Sequence, residues 1–138
     1  MTIKFDTETI RIMTLFENLT GVTVRDCLID ENMVYLVVDE EKIGMAIGKN
    51  GNSVKNAEKV INKTIKLFAF SDNLDKFVKN LIQKANSVKI NNENGKIVIE
   101  VGVEKNDRPM VIGREGKNLK ILKELLRRSH NVSDLIIR

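Results

Sequence analysis

Apolar residues along this chain fall into helix-like and strand-like stretches whose order is written twice. Ile10, Met13, Phe16 and Leu19 recur every three residues behind Asp6 and Thr7 and ahead of Gly21, which predicts a capped helix with those four positions inward. Residues 22–29 and 33–38 are rich in β-branched side chains and are joined by Asp30-Glu31-Asn32, the pattern of a hairpin. Asp39, followed by Glu40 and Glu41, predicts the cap of a short helix that ends at Gly48. Beyond it, Val54, Ala57 and Ile61 predict the inward face of a second helix, with Lys55, Lys59 and Lys63 outward, and residues 64–70 read as a closing strand.

Ser71-Asp72-Asn73 restarts the same order. Leu74, Phe77, Val78, Leu81, Ile82 and Ala85 hold helical spacing, and strands at 87–90 and 96–103 flank an Asn-Asn-Glu-Asn-Gly turn. Pro109 suits the first turn of a short helix ending at Gly113. Leu119, Leu122 and Leu126 then mark the inward stripe of a long helix before a last strand at 132–137. The expected architecture is α+β: two domains, 1–71 and 72–138, each αββααβ with a three-stranded sheet packed on helices.

One phrase is common to both halves. Ile47-Gly48-Lys49-Asn50-Gly51-Asn52-Ser53-Val54 and Ile112-Gly113-Arg114-Glu115-Gly116-Lys117-Asn118-Leu119 lie 65 positions apart. Each has two glycines around a polar pair containing one cation, with an apolar residue three places on. Glycine admits backbone torsions that a Cβ disfavours and lets bare backbone approach a bulky anion. The rear glycine of each loop opens a helix, where free N–H groups, the positive end of the helix dipole and Lys49 or Arg114 together suit a phosphate. A helix-turn-helix corner with a glycine C-cap accounts for one such loop. It does not account for the cation kept in both copies.

Charge supports a polyanionic partner. The chain carries a net +4, but between Lys42 and Lys66 six lysines face one glutamate, and between Lys105 and Arg128 eight cations face three acids, so the basic charge is gathered on the two loop units. One cysteine and one histidine in 138 residues cannot build a zinc site or a disulfide, so no metal and no cofactor are expected. Cys27 reads as core packing, and His130, after the last basic turn of a helix, as a neutraliser of its dipole. The start, residues 1–9, is acidic and lacks a secretory core, and no apolar run approaches membrane length; the expected location is cytoplasmic, with no membrane partner.

The two glycine phrases and the αββααβ order resemble two type II KH domains in tandem, similar to the KH core of the NusA transcription factors and most closely to the short archaeal NusA-like proteins. The resemblance covers nearly the whole chain, without the polymerase-binding region and oligonucleotide-binding barrel of bacterial NusA. It implies binding of extended single-stranded RNA, the loop clamping about four nucleotides of backbone against a base-reading groove. Carried over by position, Gly48, Lys49, Asn50 and Gly51 grip phosphates in the first half and Gly113, Arg114, Glu115 and Gly116 in the second. Ile47, Val54, Ile112 and Leu119 support the loops or line an apolar floor, and Lys55 and Lys117 are rim cations. Glu115, a carboxylate beside a phosphate track, is expected to weaken the second loop unless Arg114 outweighs it. The implied role is transcription elongation, termination or antitermination, with RNA polymerase contact left open.

Rival readings are few. Gly44, Gly48 and Lys49 suggest a nucleotide loop, but three residues separate the glycines where four are needed, and Asn50 stands where Ser or Thr should hold magnesium. No nucleophile, base and orienter set recurs in the repeat, so neither an enzyme nor a small-molecule substrate is expected. A KH pair used in ribosome assembly, in ribosomal RNA binding or as a protein-interaction adapter remains the alternative, because fold does not fix function. Few aromatic residues, with no Trp, argue against base stacking as the main source of affinity.

Overall fold

The computed structural model describes residues 6–138, and the chain divides into two compact units, Met1–Ser71 and Asp72–Arg138. The first five residues, on which the reading of the chain's start partly rests, lie outside those described. Among the described residues no helix is long and apolar enough to cross a membrane.

In the first unit, helix α1 spans Thr7–Thr20 and is capped as its sequence predicts: Asp6 accepts the Thr9 N–H at 2.9 Å, and Gly21 closes the helix at φ 74°. Its inward face differs from the expected stripe. Ile12 and Phe16 are fully buried with Thr9, whereas Ile10 is 53% exposed and Leu19 39%. Six apolar residues wind around this helix, and the set Thr9, Ile12, Met13, Phe16 follows the 3.6-residue repeat more closely than a strict three-residue step, which drifts around the helix.

Strands β1 (Val24–Asp30) and β2 (Met33–Asp39) pair antiparallel across a two-residue turn, and β3 (Thr64–Phe70) joins β2 in parallel, giving the order β1-β2-β3. Parallel pairing requires a crossover. Here it is helix α2 (Ile43–Ile47), the glycine loop and helix α3 (Asn52–Ile61). Val24, Cys27, Val34, Leu36, Val38 and Ile65 from the sheet meet Ile12, Phe16, Ala46, Ala57 and Ile61 from the helices in one core. Cys27 is buried there as packing. Glu58 anchors the crossover, its carboxylate accepting the Ile65 N–H at 2.8 Å where β3 begins. Two details depart from expectation. Asp39 caps nothing with its side chain but pairs with Arg25 at 2.8 Å, and a 3-10 turn at Glu40–Lys42 precedes α2. Lys63 lies beyond the end of α3, with its Nζ donating to the Glu31 carbonyl at 3.0 Å.

The second unit repeats this order with α4 (Leu74–Leu81), β4 (Ala85–Glu93), β5 (Lys96–Val103), α5 (Arg108–Ile112), α6 (Lys117–His130) and β6 (Asp134–Ile137). Its sheet runs β4-β5-β6, again antiparallel then parallel. Helix α4 stops at Leu81, four residues short of Ala85, because Ala85 already pairs with Val103 in the sheet. The turn is narrower than expected: Asn94 and Gly95, both at positive φ, make it alone, while Asn91, Asn92 and Glu93 pair within β4. On α6 the buried residues are Ile121, Leu122, Leu125 and Leu126, a wider stripe than the three leucines expected, and Leu119 is only partly buried. His130 does more than sit by a dipole. Its ring packs on Phe77 at 5.2 Å between centroids, and Nε2 lies 3.3 Å from the Asp72 carbonyl, tying the end of α6 to the start of the unit.

Strand β6 is held at both flanks by ion pairs. Lys123 on α6 meets Asp134 at 3.1 Å, and that hydrogen bond holds the Asp134 carboxyl below the usual carboxylate range. Arg138 meets Glu100 on β5 at 2.7 Å and lowers its pKa in the same way. On the surface of α6, Arg127 is hydrogen-bonded to Glu124 one turn earlier.

Candidate nucleic-acid interface

Each glycine loop is a short 3-10 turn set between two helices, and the two copies have the same backbone. Gly48 stands at φ 80°, ψ 171° and Gly113 at φ 79°, ψ 169°; Gly51 and Gly116 are left-handed at φ 74° and 72°. The front glycine is required twice over. Its torsions belong to a region that side chains essentially do not enter, and a Cβ on Gly48 would lie 2.7 Å from the Ser53 backbone nitrogen and press on its Oγ. A Cβ on Gly113 would lie 2.9 Å from the nitrogen of Asn118. The rear glycine is required by φ alone, since a Cβ on Gly116 would meet nothing within 4 Å.

Between the glycines, Asn50 and Glu115 occupy the same left-handed position at φ 54° and 57°. Asparagine is suited to that region and glutamate is not. The second loop therefore carries a local strain as well as an acidic charge.

The loops use some of the amides that the sequence left free for a ligand. Gly51 N–H donates to the Gly48 carbonyl at 3.1 Å and Asn52 N–H to Lys49; the second loop repeats both, Gly116 to Gly113 at 3.1 Å and Lys117 to Arg114. Among the described residues no side chain caps α3 or α6, so the positive end of each dipole is left to solvent or ligand. In the second unit the Asn118 carboxamide instead reaches back to the Val111 carbonyl at 2.7 Å, fixing the angle between α5 and α6.

Lys49, Asn50, Arg114 and Glu115 are all exposed at the tips of their turns. Among the described residues neither Lys49 nor Arg114 enters an ion pair, and Arg114 and Glu115 form none with each other, so both cations are available to an anion. Lys55 folds toward the first loop, its Cε 3.7 Å from where a Gly51 Cβ would stand. Lys117 is exposed at the first position of α6. Ile47 is 40% exposed and so is not a core residue, Val54 packs against the core from its edge, and Ile112 and Leu119 are half-buried. Each unit thus brings a basic tip and an apolar shoulder together on one corner.

The 65-residue offset points to residues that the motif alone missed. Lys120 is exposed in the second unit where Lys55 stands in the first. Met45 and Met110 occupy matching places before the loops and are 48% and 60% exposed, adding an apolar side chain to each corner. Comparing the repeats beyond the glycine phrase would have found Lys120 and paired Met45 with Met110, but not the exposure of the two methionines.

Known proteins share the sequence and the fold of this chain. A family model for the KH domain matches residues 10–72. A protein of Methanococcus vannielii named "Probable transcription termination protein NusA" is 38% identical over 121 residues, covering 86% of this chain and 70% of the relative. One of the same name from Thermoplasma acidophilum is 31% identical over 138 residues, covering 99% and 96%. The crystal structure of APE1850 superposes with a TM-score of 0.75 at 32% identity, covering 94% of this chain and 96% of that one. With this identity sustained along nearly the full chain, and with the glycine corner inside the matched domain, the chain belongs to the archaeal NusA-like family of KH-domain proteins.

Proposed function

We propose that the two glycine corners are the RNA grips of this protein, an RNA-binding, NusA-like transcription factor. The observation that carries the reading is the matched pair of loops: the same unusual backbone twice, each time with an exposed cation outside any ion pair at its tip. We read the units 1–71 and 72–138 as tandem type II KH domains, on the strength of their common αββααβ order and mixed sheets. Gly48, Lys49, Asn50 and Gly51, with Lys55 at the rim, hold sugar-phosphate in the first. Gly113, Arg114, Glu115 and Gly116, with Lys117, do so in the second. Ile47, Val54, Ile112 and Leu119 form the apolar shoulder against which bases rest. The chain acts without catalysis, in the cytoplasm, on single-stranded RNA in elongation, termination or antitermination, and RNA polymerase is the protein partner that this role suggests.

Crosslinking the protein to cellular RNA and sequencing what is attached tests the assignment. Nascent transcripts are expected. Recovery of ribosomal RNA alone would move the protein to ribosome assembly, and recovery of no RNA would leave it a protein adapter.

A further inference from the structure

The outward face of α3 forms a groove of about 750 Å³, on the side of the helix turned away from Ala57 and Ile61 and hence from the apolar shoulder at Val54. Asn32, Asn52, Asn56 and Asn62 line it with Lys55 and Lys59. None of the four carboxamides is hydrogen-bonded to protein among the described residues, and neither lysine has an ion pair. Among the described residues Glu58 is the one acid lining the groove, and its carboxylate accepts the Ile65 N–H. Four uncommitted donor-and-acceptor groups and two uncommitted ammonium groups therefore converge on one concave surface.

The groove is continuous with the first loop, because Asn52 both follows Gly51 and lines it. It runs the length of α3, about 15 Å at 1.5 Å per residue. The second unit does not keep it: at the 65-residue offset Asn56 becomes Ile121, which is buried, and Lys59 becomes Glu124, which binds Arg127. The loop is duplicated and the groove is not.

We propose that this groove is a second RNA-contact surface, particular to the first unit, which takes the stretch of single-stranded RNA leaving the first loop. Ammonium groups meet its phosphates, and carboxamides pair with ribose 2′-hydroxyls and base edges, which a plain polyanion does not offer. This rests on the RNA reading of the loops, and its test separates the two.

The double variant Asn56→Ala/Lys59→Ala leaves the loop untouched and places a stronger helix former at both exposed sites, so the fold is retained, as circular dichroism would verify. Its affinity is measured by fluorescence anisotropy for randomised RNA of about four nucleotides, which spans the loop alone, and of about twelve, which reaches the groove. Binding of the long RNA should fall about tenfold, the loss expected from two or three polar contacts, with the short RNA unchanged. Single-stranded DNA of the longer length should lose less, having no 2′-hydroxyl. Equal affinity of variant and parent for the long RNA overturns the groove while the loop reading stands. An equal loss for long and short RNA also overturns it, since the residues would then act through the loop. If the parent binds neither RNA, the loop reading falls and the groove with it.

Discussion

Replacing each glycine of the first loop by alanine separates two physical demands. At Gly51 the demand is torsional: a left-handed alanine costs about 1–2 kcal/mol, of which about 0.4–1 kcal/mol returns through the stiffer unfolded chain. A Cβ there would meet only the flexible Lys55 Cε, at 3.7 Å. At Gly48 the backbone lies at φ 80°, ψ 171°, where a side chain costs about 1–3 kcal/mol, and the new Cβ would also sit 2.7 Å from the Ser53 nitrogen. That nitrogen belongs to the first turn of α3, so relief means moving the helix start, and Gly48→Ala should cost about 3 kcal/mol or more in all. For a unit of this size about 1 kcal/mol moves the melting midpoint by roughly 4–8 °C, so the two variants should melt at least ~5 °C apart, Gly48→Ala lower. Differential scanning calorimetry of both proteins measures it. Equal shifts, or a larger loss at Gly51, would refute the claim that the front glycine is held by contact and the rear one by torsion alone.

Other consequences are open to measurement. RNA affinity should fall with salt on a log-log slope of about −0.7 per phosphate neutralised, and a flat response would mean that the basic segments are only solvated helix faces. Glu115→Asn replaces a poor left-handed residue with a suitable one and removes a carboxylate from the phosphate track, so it should raise stability by about 0.5–1 kcal/mol in a melt and tighten RNA binding; a loss in either would contradict the strain seen at φ 57°. The Asp134 and Glu100 carboxyls titrate below their ordinary range, so the stability they lend is present above about pH 4 and is lost as pH falls through the depressed values. Asp134→Asn should therefore flatten the acid limb of the melting curve against pH, and an unchanged limb would show that the Lys123 pair is inert.

The sequence carried the loops most faithfully, because glycines at fixed spacing answer to local backbone sterics that distant residues do not alter. Strand β3 was equally legible: its β-branched and aromatic run has one natural use between a basic helix and Ser71. The missed features depended on tertiary context. Residues 81–85 contain no helix breaker, and only pairing of Ala85 with Val103 ends α4 where it ends. Asn91, Asn92 and Glu93 look like turn residues, yet β4 is an edge strand of its sheet, and its exposed positions accept polar side chains. On α1 the apolar residues allow two faces, and packing on the sheet chooses Ile12 and Phe16 over Ile10 and Leu19. At the candidate site, the cations and glycines could be read from the repeat, but the exposure of Met45 and Met110 and the convergence of four asparagines on the α3 groove could not, since both depend on how distant segments meet.

The central claim, that the first loop presents its cation and amides to RNA backbone, is tested most directly by titrating labelled single-stranded RNA against the double variant Lys49→Asp/Asn50→Asp. Both side chains are exposed and aspartate tolerates the left-handed position of Asn50, so stability should change by no more than about 0.5 kcal/mol. The account predicts at least about a tenfold weaker affinity with the melting midpoint held, because two carboxylates then face the phosphates where a cation and an amide stood. Affinity equal to that of the parent protein would contradict it.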